Sequence, residues 1–118
     1  MTTRVVFVGA ESTGKSTLAE ACAIRFGTSW MPEWGRDYWF AHHDEAGMLT
    51  PTQLVELAEQ HCEREDIAAA AASHFLFVDT NALTTRQFCT DYHGEACVPP
   101  RLHQLARNCT TRYDVTFL

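Results

Sequence analysis

The sequence predicts a single α/β domain in which a mostly parallel sheet is covered by helices on both faces. Two observations carry this. RVVFVG (residues 4–9) and HFLFVD (residues 74–79) are apolar at consecutive rather than alternate positions, the pattern of strands buried on both sides. Helical stretches lie between the strand-like runs, as parallel neighbours require. At 118 residues, 46% of them apolar, the chain has the size and composition of one globular domain.

The elements follow in order. Residues 4–9 form the first strand. A helix runs over 15–26, with Leu18, Ala21, Cys22 and Arg25 on one face, and Gly27 stops it. A short strand is expected at 28–31, broken by Pro32, and a helix rich in aromatics at 33–40. AHHDEAGM (41–48) is a loop. Thr50 is an N-cap, Pro51 takes the first helical position and Gln53 completes a capping box. The helix they open reaches about residue 73 through an alanine-rich end. The second buried strand, 74–79, ends in a carboxylate. Helices over 84–92 and 100–108 flank the loop YHGEACVPP, and 113–118 begins a further strand. A strand that ends with the sequence suggests either a fragment or a minimal domain whose edge a partner covers.

Charge and composition exclude several classes. The net charge of −6 argues against general nucleic-acid binding, which needs a basic footprint. No apolar run is long enough to cross a bilayer, and MTTRVV lacks the features of a signal peptide, so a cytoplasmic location is the default. Cys22, Cys62, Cys89, Cys97 and Cys109 are scattered without CxxC spacing and read as reduced, mostly buried side chains. The oligomeric state is left open, a homo-oligomer included.

The chemistry concentrates at GAESTGKST (residues 9–17). It matches G-x-x-x-x-G-K-[ST] at every fixed position, between an apolar strand and a helix. Gly9 lets the chain leave the strand in a tight bend, and Gly14 brings backbone close to phosphate oxygens. The amides around Glu11, Ser12 and Thr13 and the helix N-terminus then face an anion. Lys15, the only lysine in the chain, supplies a compact charge to the β/γ-phosphates, and the Ser16 hydroxyl is placed to ligate Mg²⁺. Thr17 either bonds an α-phosphate or fills the first helical turn. The loop is therefore read as a P-loop, and the fold as a three-layer P-loop NTPase.

In an open parallel sheet, ligands sit at the carboxyl ends of the strands. Asp79 ends FLFVD there, either as a Walker-B-like group holding Mg²⁺ or as an N-cap. Glu33 follows the short second strand and either accepts a proton from a substrate hydroxyl or is an ordinary first-turn glutamate. In WMPEWGRDYWF (30–40), Trp34 and Tyr38 share a helical face, to stack on a flat substrate ring or to pack in the core. Arg36 and Arg86 are candidates to touch phosphate or ribose, or are solvated surface charges. His42 and His43 give no clear signal.

Taken together, GAESTGKST, EWGRDYWF, FLFVDTNALTTRQFC and YDVTFL resemble the ribosylnicotinamide kinase domain of the NadR-like regulators, within the AAA-like grouping of P-loop NTPases. The family's P-loop, its EYGR-type segment and its DT-x-x-x-TT-x-x-FC segment fall in order at residues 9–17, 33–36 and 78–89. The resemblance implies ATP- and Mg²⁺-dependent phosphorylation of the 5′-hydroxyl of nicotinamide riboside or a related nucleoside, in NAD salvage. It implies Lys15, Glu33 and Asp79 as catalytic groups, with Glu33, Trp34, Arg36, Tyr38, Thr80 and Arg86 around the nucleoside. Trp34 stands where the family usually has tyrosine. The family's chain continues past the strand at 113–118 into a basic lid and an adenine-binding loop, so residues 1–118 are expected to be a kinase core without its lid portion. The alternatives are an ATPase or nucleotide switch with water as acceptor, and a non-catalytic ATP-binding module.

Overall fold

The computed structural model of the chain describes residues 2–9 and 14–117. Four strands, β1 (Thr3–Phe7), β2 (Trp30–Met31), β3 (Phe75–Asp79) and β4 (Val115–Phe117), form one sheet in the order β2-β3-β1-β4. Every pairing is parallel, and Phe7 lies in register with Asp79 and with Phe117. All four carboxyl ends therefore share one rim.

Alternation along the strands divides the core into two layers. Val5, Phe7 and Phe77 face α1 (Lys15–Phe26), which meets them through Ala19 and Ala23. Val6, Leu76 and Val78 face the opposite layer, built from α3 (Pro51–Ala71), α4 (Ala82–His93) and α5 (Pro100–Arg112) with Leu54, Ala58, Cys89, Leu102 and Leu105. This is the expected helix–sheet–helix arrangement. The apolar strands read as continuous runs because both of their faces are covered.

The face of α1 differs from the expected one. Leu18 is half exposed, Ala21 and Arg25 are exposed, Cys22 is partly buried, and Ala19 and Ala23 are the fully buried residues. Small side chains let the helix lie close to the phenylalanine-rich sheet, so the residues that pack are alanines rather than the larger apolar ones. Gly27 ends α1 in a left-handed conformation (φ 65°), its amide donating back to Ile24.

α2 (Trp34–His42) extends through the first residues of the expected loop. α3 opens with the full capping box: Gln53 N donates to Thr50 Oγ1 and Gln53 Oε1 accepts from Thr50 N. α4 begins two residues earlier than expected because Asn81 caps it, Oδ1 accepting from the Leu83 amide. A short 3₁₀ turn, Glu95–Cys97, interrupts the next loop. α5 runs on to Arg112, whose side chain is tied to α3 through Glu65 and Asp66. β2 and β4 are shorter than the sequence implied, since a strand lasts only as long as its pairing. Among the described residues no helix is long and apolar enough to cross a membrane.

Candidate functional site

The site grows from the rim where β1 gives way to α1 and β3 to α4. Gly14 precedes α1 with φ 87°, a backbone angle at which an L side chain is strained, and its carbonyl accepts from the Leu18 amide. Lys15 and Ser16 open the helix, so their side chains and the amides of the first turn sit at the carboxyl rim. Gly9 ends the described part of β1's exit. Glu11, Ser12 and Thr13, expected to cradle phosphate, lie outside the described residues. Thr17 is exposed in the first turn.

Across the rim, Asp79 is the last residue of β3 and is fully buried. The Ser16 hydroxyl donates to Asp79 Oδ2. Asp79 does not cap the following helix, because Asn81 does. A buried carboxylate joined to the Ser16 hydroxyl is a pair of hard oxygen donors at the carboxyl end of the sheet. That donor set fits Mg²⁺, which takes one or two protein oxygens and leaves the rest of its shell to phosphates and water.

Thr80 turns the chain between the two. It is buried, adopts φ 74°, and donates its amide to the Phe7 carbonyl at 3.0 Å. A threonine with positive φ costs on the order of 1–3 kcal/mol and persists only where surrounding structure enforces it, most often beside a functional site.

Thr80 also borders a cavity of about 440 Å³. Glu33, Arg36 and Thr84 line it, with the aromatic side chains of Trp39 and Phe40 from α2 and Phe88 and Tyr92 from α4, and Leu49, Leu54 and Leu57 among the rest of its wall. A mixed wall of aliphatic and aromatic side chains with a few polar groups suits a small organic ligand with a flat ring. The 47–49 segment completes the enclosure, pinned by the Trp39 indole donating to the Gly47 carbonyl at 2.8 Å. Glu33 occupies the N-cap position of α2 but makes no capping bond with its side chain.

Two expected substrate contacts lie elsewhere. Tyr38 is fully buried, its ring stacked on His42 at 4.1 Å and its hydroxyl donating to Glu56 at 2.7 Å. Burial, with the Glu56 carboxylate beside it, pushes the Tyr38 phenol well above its usual range. Trp34 donates to Gln60 and carries the Arg64 guanidinium 3.6 Å over its ring, facing an open groove beside α3 rather than the cavity. The i,i+4 pair at 34 and 38 thus points at α3, and it is the neighbouring face that turns Arg36, Trp39 and Phe40 to the cavity. Arg86 is partly buried on α4 and does not line the cavity, whereas Arg36 is exposed at its border. The residues that sequence reasoning missed carried a usable signal: Thr84, Phe88 and Tyr92 recur every fourth position on α4.

Below the cavity lies a buried charge cluster. Glu65, with no exposed surface, receives Arg4 and Arg112 on Oε1, each at 2.9 Å, and Tyr113 on Oε2 at 2.5 Å. Asp66 receives the same two arginines. Burial alone would raise the Glu65 carboxyl. The His61 and Tyr113 contacts and the Arg112 charge outweigh it and hold the group below the usual carboxylate range. The cluster joins β1, α3 and α5 beneath the site.

Comparison with known proteins agrees with this architecture. A family model described as an AAA domain matches residues 4–118. The trifunctional NAD biosynthesis/regulator protein NadR of Escherichia coli (strain K12) is 39% identical over 92 residues, covering 76% of this chain and 22% of its own length. NadR of Salmonella typhimurium (strain LT2) gives the same identity and coverage. The chain therefore spans about a fifth of these curated relatives. Among solved structures, a NadR protein in complex with NR superposes with a TM-score of 0.80 at 21% identity, over 98% of this chain and 33% of that one. A NadR protein in complex with NAD and AMP-PNP gives 0.77 at 20%, with the same coverage. At these identities the two structures share the fold.

Proposed function

From a chain that belongs to the AAA domain family, as a NadR-like member of it, we propose the nucleotide-binding core of a small-molecule kinase that phosphorylates the 5′-hydroxyl of nicotinamide riboside or a closely related nucleoside. The observation that carries the reading is the Ser16–Asp79 bond at the carboxyl rim, with a cavity bordered by Glu33 and by Thr80, the residue after Asp79. The relatives' NAD biosynthesis role and the NR and AMP-PNP bound by the solved NadR proteins support the choice of acceptor and donor.

The roles follow from placement. The α1 N-terminus and Lys15 hold the β/γ-phosphates of ATP. Ser16 and Asp79 would hold Mg²⁺, which neutralises charge on the transferring phosphoryl group. The cavity's aromatic side chains orient the nucleoside, and Arg36 and Thr80 flank its sugar. Glu33, which borders the cavity while Asp79 does not, accepts the proton of the 5′-hydroxyl as that oxygen bonds the γ-phosphorus and the bond to ADP breaks. Excluding water from such a site favours transfer to the hydroxyl over hydrolysis.

A product assay with ATP, Mg²⁺ and nicotinamide riboside tests this. Nicotinamide mononucleotide should form in amounts equal to ADP. Glu33→Gln should lower kcat by about 10²-fold or more, and Lys15→Ala should abolish measurable nucleotide binding. ATP consumption at the same rate with and without nucleoside would replace this reading with that of an ATPase.

A further inference from the structure

We propose that Gly35 is a positioning residue for phosphoryl transfer: the side chain it lacks leaves open the space beside Glu33 Oε1 that the nucleoside's hydroxymethyl arm takes up. The inference rests on reading the cavity as the acceptor site and Glu33 as its base.

Gly35 is the second residue of α2 and does not adopt the positive φ seen at Gly14 or Gly27. Its backbone therefore makes no demand for glycine. Within a helix glycine is a liability, because it loses more chain entropy on folding than alanine does. Close packing does not demand it either. A Cβ added at Gly35 would lie 3.6 Å from Glu33 Oε1, 3.8 Å from Leu57 Cδ1 and 3.9 Å from Glu33 Cγ, all ordinary van der Waals separations. A methyl group thus fits between α2 and α3 without moving either helix.

The place that methyl would fill belongs to the cavity. Gly35, Glu33 and Leu57 all line it, and the nearest atom to the added carbon is the carboxylate oxygen given the proton in transfer. A hydroxyl must come within about 2.6–3.2 Å of its general base. The carbon bearing that hydroxyl then stands at about contact distance from the same oxygen, which is where a side chain at position 35 would put its own carbon. Glycine keeps this ground clear for the substrate, at the expense of helix propensity.

The competing account is that Gly35 only lets α2 close on α3. Gly35→Ala separates the two. It should melt at or above the wild-type temperature, because the methyl fits the fold and favours the helix. It should nonetheless lower kcat with nicotinamide riboside about 10²-fold, the usual loss when a reacting group is held about 1 Å from its place, and leave the KM for ATP within about threefold. Melting several degrees below wild type would assign Gly35 to packing and overturn the proposal. So would an unchanged kcat. A double-mutant cycle tests the link to Glu33. Once Glu33→Gln has removed the base, the methyl has no approach to a base left to obstruct. The double variant should then be no more than about threefold slower than Glu33→Gln alone. Losses that multiply in full would show the methyl acting away from Glu33 and would likewise overturn the proposal. Wild-type protein that phosphorylates no nucleoside would instead remove the kinase reading itself, and this inference with it.

Discussion

Glu65 shows what one buried charge does when both of its oxygens are bonded. It cross-links β1, α3 and α5 with no surface of its own exposed. Because its folded pKa is lowered, its contribution to stability is complete above the ordinary glutamate range, about pH 4.3. The contribution is lost as pH falls below that range through the folded value. Glu65→Gln should therefore destabilise the protein by about 3 kcal/mol near neutral pH, since it leaves Arg4 and Arg112 with the exposed Asp66 as their one carboxylate partner at the cluster, and the deficit should narrow as the medium is acidified below about pH 4. Paired thermal melts across pH check this, and a deficit that does not change with pH would disprove the ionic account. At this scale the sequence was legible where the mechanism is local. Gly14, Lys15, Ser16 and Asp79 could be placed because loop, helix start and strand end define them without reference to the rest of the chain. Tyr38 and Trp34 could not, because which face of α2 meets α3 is decided by Glu56, Gln60 and Arg64, residues far along the chain. Glu65 gave no signal as a buried group, since a glutamate on a helix ordinarily faces water.

Among the elements, α3 matters most to the site, because it carries His61 to the cavity wall and Glu65 beneath it. Its start is fixed by Thr50 and Gln53, which satisfy each other's backbone amides. Thr50→Ala should cost about 1 kcal/mol in chemical denaturation, and should raise amide exchange in the first turn before the rest of the helix. Uniform exchange along α3 would show that the cap does not limit fraying. The start of α3, the end of α1 at Gly27 and the two buried strands were all readable, because caps and left-handed glycines are short-range signals. The limits of α4 and α5 were less so. Asn81 starts α4 ahead of its apolar run, and Arg112 lengthens α5 by an ion pair with α3 that no local pattern announces.

For the whole molecule, three layers leave one sheet face unevenly covered. α1 lies over β1 and β3, but Val115 and Phe117 on the β4 edge remain exposed, and Leu18, Ile24 and Phe26 are exposed on α1 itself. An edge strand with apolar side chains invites pairing with another chain. Ile24→Lys combined with Phe117→Lys should reduce concentration-dependent association measured by light scattering. Ile24→Lys alone should change stability by no more than about 0.5 kcal/mol. Association unaltered by the pair would place the adhesive surface elsewhere. The parallel topology was legible from two continuous apolar runs, whereas the cavity was not, since it exists only where α2, α3 and α4 converge.

The arrangement of indoles has a spectroscopic corollary. Of the chain's three tryptophans, Trp39 alone borders the enclosed cavity, while Trp30 and Trp34 look onto the open groove, the latter beneath a guanidinium. Replacing those two with phenylalanine would leave a solitary emitter next to the cavity proposed to take the nucleoside. An electron-poor pyridinium settling beside it should quench its emission, so occupancy could be titrated without a label and without turnover.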